Sequence, residues 1–278
     1  MGGDKLKILI LGAKGMLGAD LLEVFKGNEI IGWDKKELDL TSFSLTEKKI
    51  KELKPETIIN AAAYTAVDDA EENRDLAMLI NGEVVGNLAK IAKELDIPIV
   101  HYSTDYVFNG KNKEGYKEDE NNIAPLNVYG ESKALGEKLL QENTDKFYLI
   151  RISWLYGKNG KNFVETMLKL GKEKDELNVI DDQIGSPTYT KDVAKLTKEV
   201  VENKMPFGIY HAVNSGKASW CGFAKRIFEL AKIDIKVNPI PTEDYPLPAK
   251  RPKNSILLNT KLKPLRSWEE ALEDYLNN

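Results

Sequence analysis

The most constraining feature of this chain is a junction near its start. Leu6 to Leu11 is a short, largely aliphatic run, and Gly12-Ala13-Lys14-Gly15-Met16-Leu17-Gly18 follows it directly. From Met16 to Phe25 the apolar residues Leu17, Leu21, Leu22, Val24 and Phe25 take helical spacing. An aliphatic run without polar alternation reads as a strand buried on both faces, the usual state of a strand in a parallel sheet. The chain therefore opens as strand, glycine turn, helix.

That rhythm continues. Strands are predicted at Glu29–Trp33, Thr57–Ala63, Ile97–Tyr102 and Tyr148–Tyr156. Helices are predicted at Ser44–Leu53, Asp75–Leu95, Asn127–Glu142 and Asn162–Gly171. Strands alternating with helices at this pitch specify an α/β fold with a doubly wound, mostly parallel sheet of Rossmann type. Beyond residue 156 glycine and proline become denser, at Gly157, Gly160, Gly185, Pro187 and from Pro239 to Pro252. We read residues 1–156 as a dinucleotide-binding domain. Residues 157–278 read mainly as a smaller, irregular substrate lobe, some of whose segments return to the first domain. Helices are expected within it at Lys191–Val201 and Trp220–Lys232. Ser267-Trp268-Glu269-Glu270 has the form of a capping box opening a last helix.

Composition narrows the partners. The 278 residues carry a net charge of -4 and are 42% hydrophobic, which suits a globular protein and argues against nucleic acid as a partner. The longest apolar runs are of strand length, which argues against a membrane span. Met1 to Lys5 shows no apolar leader, and the lone Cys221 precludes an intrachain disulfide, so a cytoplasmic protein is expected. Cys221, His101 and His211 lie in apolar stretches and read as structural. No His, Cys and carboxylate set has metal-ligand spacing, so no metal is predicted. Monomer and homodimer both remain open.

The glycine loop has chemical meaning. Gly12, Gly15 and Gly18 form G-x-x-G-x-x-G, one residue longer in its turn than the common dinucleotide fingerprint. Glycines let the backbone approach a pyrophosphate, and the first amides of the following helix, at Met16 and Leu17, offer donors to it. Asp34, at the end of the second strand and about 20 residues on, suits the adenosine ribose hydroxyls. Its charge favours NADH, whereas Lys35 and Lys36 can receive the 2′-phosphate of NADPH, so either cofactor is compatible. Asp39 and Leu40 are placed to border the adenine.

Tyr129 and Lys133 stand four residues apart and so share a helix face. The fourth strand ahead of them ends in Ser103-Thr104-Asp105, at the carboxyl edge where open α/β sheets bind ligands. A lysine ammonium and a nicotinamide ring both favour the phenolate and so lower the phenol toward working pH. Tyr129 can then give a proton to a carbonyl oxygen as hydride arrives, with Lys133 holding the nicotinamide ribose and Thr104 orienting the carbonyl.

Taken together these segments resemble the extended short-chain dehydrogenase/reductase family. The resemblance is carried by Gly12–Gly18, Asn60–Asp68, Ser103–Phe108, Tyr129–Ala134, Arg151–Tyr156, Asp182–Thr188 and Arg251–Ser255. Within the family it points to the branch that acts on dTDP-linked keto sugars. It implies that Gly15, Met16 and Leu17 line the pyrophosphate, and that Ala63, Tyr64 and Thr65 pass along the cofactor. It also implies that Tyr102 borders the nicotinamide, that Thr104 and Asp105 touch the sugar, that Trp154 covers it, and that Arg251 lies near the nucleotide end. The implied reaction is reduction of the C4 keto group of a dTDP-6-deoxy-hexulose, the last step to dTDP-rhamnose. A 4,6-dehydratase of this family carries a second acid after the threonine-aspartate pair, where this chain has Tyr106. Two alternatives stay open: a nucleotide-sugar 4-epimerase, and a non-catalytic NAD(P)-binding regulatory subunit resembling the methionine adenosyltransferase β subunit.

Overall fold

The computed structural model describes residues 5–277; Met1 to Asp4, most of the stretch read for a leader, and Asn278 lie outside the described residues. In chain order the first part contains β1 Lys7–Leu11, α1 Met16–Val24, β2 Glu29–Trp33, α2 Phe43–Leu53 and β3 Thr57–Asn60. Then come α3 Asp69–Glu72, α4 Arg74–Met78, a π-helical turn Leu79–Glu83, α5 Val84–Glu94, β4 Ile99–Thr104, α6 Val128–Asn143 and β5 Phe147–Ile152. The rest contains β6 Leu155–Tyr156, α7 Phe163–Glu173, β7 Glu176–Ile180, β8 Ile184–Gly185, β9 Thr188–Tyr189, α8 Thr190–Glu202 and β10 Gly208–His211. It ends with β11 Ala218–Ser219, α9 Trp220–Ala231, β12 Lys236–Ile240 and α10 Trp268–Asn277.

Six strands form the central sheet in the order β10-β5-β4-β3-β1-β2, every pair parallel. Successive residues of β1 feed opposite faces. Ile8 and Ile10 join a core with α1 and α8, whereas Leu9 and Leu11 join one with α2, α5 and α6. Burial on both sides is why the strand shows no polar alternation. The chain leaves β1 for β2 on one side and returns for β3 on the other. This reversal opens a crevice at the carboxyl ends of β1 and β3, the place where such sheets bind ligands. The second half supplies the edge strand β10 and the covering helix α8, and builds a separate core around Tyr156, Phe223, Ile227 and Trp268. The buried Cys221 belongs to that second core.

Three predicted elements are shorter or more broken than the apolar pattern implies. The third strand stops at Asn60, whose side chain takes the Ala62 amide in place of a ladder partner (3.2 Å). The strand expected to reach Tyr156 ends at Ile152, because Trp154 takes a left-handed backbone (φ 44°) and Leu155–Tyr156 then pairs with β9. The long helix expected from Asp75 to Leu95 begins at Arg74 and contains the π-helical turn, at which Asn81 points its amide across to the loop after β3. Single π turns of this kind concentrate at functional sites. The capping box forms as expected: Ser267 and Glu270 exchange hydrogen bonds at the start of α10.

Candidate active site

At Gly12 and Gly18 the glycine loop packs too tightly for a side chain. A Cβ on Gly12 (φ +74°) would stand 2.7 Å from the Ala62 amide nitrogen, and one on Gly18 would stand 2.1 Å from the Gly12 carbonyl oxygen. Gly15 is the N-cap of α1 and carries no side chain to satisfy the first-turn amides of Met16 and Leu17, which stay available to an anion. Asp34, half-buried at the end of β2, accepts the Lys14 amide (2.8 Å), so its carboxylate is fixed facing the loop. The loop and Asp34 therefore fit the pyrophosphate and ribose of a dinucleotide. Lys14 extends beside them but is paired with Glu37 (3.0 Å). Asp39 accepts both the amide and the hydroxyl of Thr41, and Leu40 packs against the core beneath β2. Both stand in the connection between β2 and α2.

On the far side of the crevice, Asn81 holds the loop after β3. Its amide accepts from the Tyr64 nitrogen (2.8 Å) and donates to the Tyr64 carbonyl (2.9 Å) and to Ser132 Oγ (2.9 Å). Ala63, Tyr64 and Thr65 are thereby tied to α6. Helix α6 comes close enough to make this link because Gly136 faces the Asn81 carbonyl, where a Cβ would stand only 2.1 Å away. Its start is set by Asn127, whose side chain caps the Gly130 amide (2.7 Å).

Tyr129 and Lys133 project from consecutive turns of α6 beside the end of β4. The Tyr129 phenol lies beside the Thr104 hydroxyl. Burial pushes this phenol up to about 12, the Thr104 hydroxyl opposes that, and the Asp105 charge adds to it. Burial lowers the Lys133 ammonium to about 8, with the Glu137 carboxylate opposing the shift. Lys133 Nζ donates to the Tyr102 carbonyl (2.5 Å). Glu137 is itself gripped by Arg151 through two bonds of 2.9 and 2.7 Å, both side chains almost wholly buried.

Tyr102 meets the site through its backbone carbonyl, which accepts from Lys133. The side chain turns into the core beneath α8 and its hydroxyl pairs with Thr197 (2.7 Å), leaving only the backbone carbonyl at Lys133. Asp105 is 2% exposed and sits behind Thr104, bonded to hydroxyls rather than open to the crevice. Trp154 stacks on Trp220 with ring centroids 3.5 Å apart and rests on the bare backbone of Gly185. Trp220, Phe163, Tyr106, Met167, Gln183 and Arg251 line a cavity of about 750 Å³ in the second lobe, of a size suited to a small organic ligand. Arg251 forms a two-pronged ion pair with Asp68 (2.6 and 2.5 Å), which joins the C-terminal segment to the loop after β3.

His101 and His211 are structural, as read: their Nδ1 atoms meet Asn60 and the Leu258 carbonyl, and burial lowers both rings. Asn81, Asp68 and Trp220 were not singled out from the sequence. Asn81 carries one usable signal, a lone amide residue on the apolar stretch Ala77–Val85 of a helix.

Among the described residues no group of His, Cys or carboxylate side chains is gathered around a metal position, and no helix is long and apolar enough to cross a membrane.

Comparison with known proteins agrees with this geometry. Residues 6–278 match the model of the RmlD substrate binding domain family. The chain is 41% identical to the spore coat polysaccharide biosynthesis protein SpsK of Bacillus subtilis, covering 97% of this chain and 96% of that protein. It is also 41% identical to a dTDP-4-dehydrorhamnose reductase of Aggregatibacter actinomycetemcomitans, over 96% of this chain and 97% of the other. A crystal structure of dTDP-4-dehydrorhamnose reductase from Bacillus anthracis in complex with NADP superposes with a TM-score of 0.95 at 42% identity, covering 98% of this chain and 99% of that one.

Proposed function

The chain belongs to the RmlD substrate binding domain family, and on that premise we propose that it is an NAD(P)H-dependent reductase of the C4 keto group in dTDP-4-dehydrorhamnose, forming dTDP-rhamnose. The observation that carries this reading is the Tyr129 phenol set beside the Thr104 hydroxyl, with Lys133 one helical turn on, at the carboxyl edge of β4.

The dinucleotide, when bound, supplies the hydride. Everything else falls to the chain. The amides of Gly15, Met16 and Leu17 hold the pyrophosphate, Asp34 takes the ribose, and Ala63, Tyr64 and Thr65 run alongside, held by Asn81. Lys133 turns from the Tyr102 carbonyl to the nicotinamide ribose. Thr104 orients the keto oxygen, and Tyr129 gives that oxygen its proton. A protonated phenol is the correct starting form for a donor, so the upward push from burial serves this direction of reaction. Trp154 and Trp220 present an apolar wall to the sugar, and Arg251 stands toward the diphosphate. The lobe from residue 157 shapes the substrate side, while β10 and α8 complete the first domain. We place the protein in the cytoplasm, as a monomer or homodimer; the single buried thiol suits a reducing compartment.

The test is NADPH or NADH oxidation, followed by absorbance, on addition of dTDP-4-dehydrorhamnose, with the product identified by NMR. Turnover to dTDP-rhamnose is expected. Stoichiometrically retained NAD with no net cofactor oxidation would instead identify an epimerase.

A further inference from the structure

Side-chain bonds fasten one stretch of the C-terminal segment at both of its ends. At the first end the Thr242 amide and hydroxyl both donate to Asp182 (2.8 and 2.5 Å). At the second, three consecutive residues are tied to the first domain. The Ala249 amide donates to Asp68 (3.1 Å), the Lys250 carbonyl accepts from Asn127 Nδ2 (2.7 Å), and Arg251 grips both Asp68 oxygens. Between these ends residues 243–248 are exposed. Among the described residues their backbone hydrogen bonds reach no farther than Pro241 and Thr242. Pro246 and Pro248 have no amide proton to add. Asp244, Tyr245 and Leu247 nevertheless line the cavity that Trp220 and Arg251 share. The stretch is therefore a strap along one side of that cavity, held at its ends. The cavity reaches the chemistry through Tyr106, which lines it and meets the Tyr129 ring edge-on, with centroids 5.9 Å apart.

Asn127 joins the strap to the helix that carries Tyr129. Its Oδ1 caps the Gly130 amide (2.7 Å) while its Nδ2 holds the Lys250 carbonyl, and the residue is 4% exposed. The next residue, Val128, gives its amide to Glu71 of α3 (2.9 Å), the helix that follows Asp68 directly. The amides on either side of Tyr129 are thus held by the same knot that holds the strap. Capping alone does not call for asparagine, since aspartate and serine cap a helix about as well. What the amide adds is a donor on a separate atom, able to hold a carbonyl while the oxygen caps. The carboxamide is planar, so fixing its oxygen on α6 also fixes the direction of its nitrogen toward the strap.

We propose that Asn127 is a positioning residue for the nucleotide-sugar, whose carboxamide locks the strap of residues 243–251 to the start of α6 and so holds that side of the cavity closed in register with Tyr129. The inference rests on the reductase reading. It adds to that reading a residue that touches neither cofactor nor keto sugar and acts on substrate affinity through the Lys250 carbonyl.

The experiment measures kcat and KM for dTDP-4-dehydrorhamnose, calorimetric affinity for dTDP and for NADPH, and melting temperature, in wild type, Asn127→Asp and Asn127→Ser. Asn127→Asp keeps the capping oxygen and loses the donor. Asn127→Ser also caps, adds no charge beside Glu71, and has one polar atom where two are needed, so it carries the test if the aspartate variant folds poorly. Losing one neutral hydrogen bond to the strap should raise KM and weaken dTDP binding by about fivefold in each variant. With the cap retained, kcat and NADPH affinity should stay within about twofold of wild type, the pattern of lost uniform binding. The melting temperature should fall by no more than about 4 °C. Wild-type KM and dTDP affinity in both variants overturn the proposal. An equal loss of dTDP and NADPH affinity also overturns it, because that marks a loosened fold rather than a loosened strap. Wild-type protein that binds dTDP but does not reduce the keto sugar overturns the reductase reading, and selective loss of dTDP affinity in the variants still supports the role of Asn127 in holding the strap.

Discussion

Glu137 and Arg151 form the most deeply buried ion pair of the described residues, with side chains 4% and 2% exposed. Replacing Glu137 by Gln keeps the shape and removes the charge, leaving the Arg151 guanidinium without compensation. Arg151 has little scope to recover, since its Nη1 already lacks a hydrogen-bond partner. Breaking one side of such a pair costs about 3–5 kcal/mol. Against a typical total of roughly 5–15 kcal/mol, that is a large share of the fold's stability. For a chain of this size it lowers the melting temperature by roughly 6–20 °C, at about 2–4 °C per kcal/mol.

The same substitution has a second effect of known sign. The Glu137 carboxylate raises the Lys133 ammonium, which burial otherwise lowers to about 8. Without it Lys133 loses its proton at lower pH, so the alkaline limb of the activity profile moves toward neutrality. Urea or thermal unfolding reads the first effect and a pH series of kcat reads the second. The double variant Glu137→Leu with Arg151→Met separates them. An apolar pair of similar volume should restore most of the stability, while the alkaline limb stays displaced. Glu137→Gln costing less than about 1 kcal/mol, with a wild-type alkaline limb, would refute the reasoning, because a desolvated unpaired guanidinium cannot be that cheap.

Two further outcomes follow from the same geometry. Gly136→Ala places a Cβ 2.1 Å from the Asn81 carbonyl, so it should destabilise by about 1–3 kcal/mol; because Asn81 anchors Tyr64, cofactor affinity measured by calorimetry should fall as well. Asp34→Ala removes the carboxylate fixed beside the glycine loop; losing a hydrogen bond to a charged group costs about 1.5–3 kcal/mol, so the kcat/KM ratio of NADPH over NADH should rise about tenfold or more in steady-state assays, and an unchanged ratio would show that Asp34 does not read the ribose.

Much of this architecture was legible because both faces of the central sheet are covered. Strands such as Lys7–Leu11 then stand out as aliphatic blocks ahead of a glycine turn. The pair β7 and β12 escaped notice because Glu176–Ile180 alternates exposed and buried positions and Lys236–Ile240 contains Pro239, so neither reads as a block. At the site, Tyr129, Lys133 and Thr104 were readable because a helix face and a strand end are local geometry. Tyr102 was not, since its ring direction is set by Thr197, a partner 95 residues away. Asp68 and Arg251 lie 183 residues apart, and no local pattern announces such a pairing. The phenol's upward shift depends on burial, which spacing alone does not report.

The central claim is that Tyr129 supplies the proton for keto reduction. It is tested most directly by Tyr129→Phe, measured for turnover of dTDP-4-dehydrorhamnose and, by calorimetry, for NADPH binding. Loss of a positioned proton donor costs about 10²–10⁴ in rate. The account predicts a fall of that order in kcat with NADPH affinity within about twofold of wild type. Near-normal turnover in this variant would contradict it, and the proton would have to come from another group.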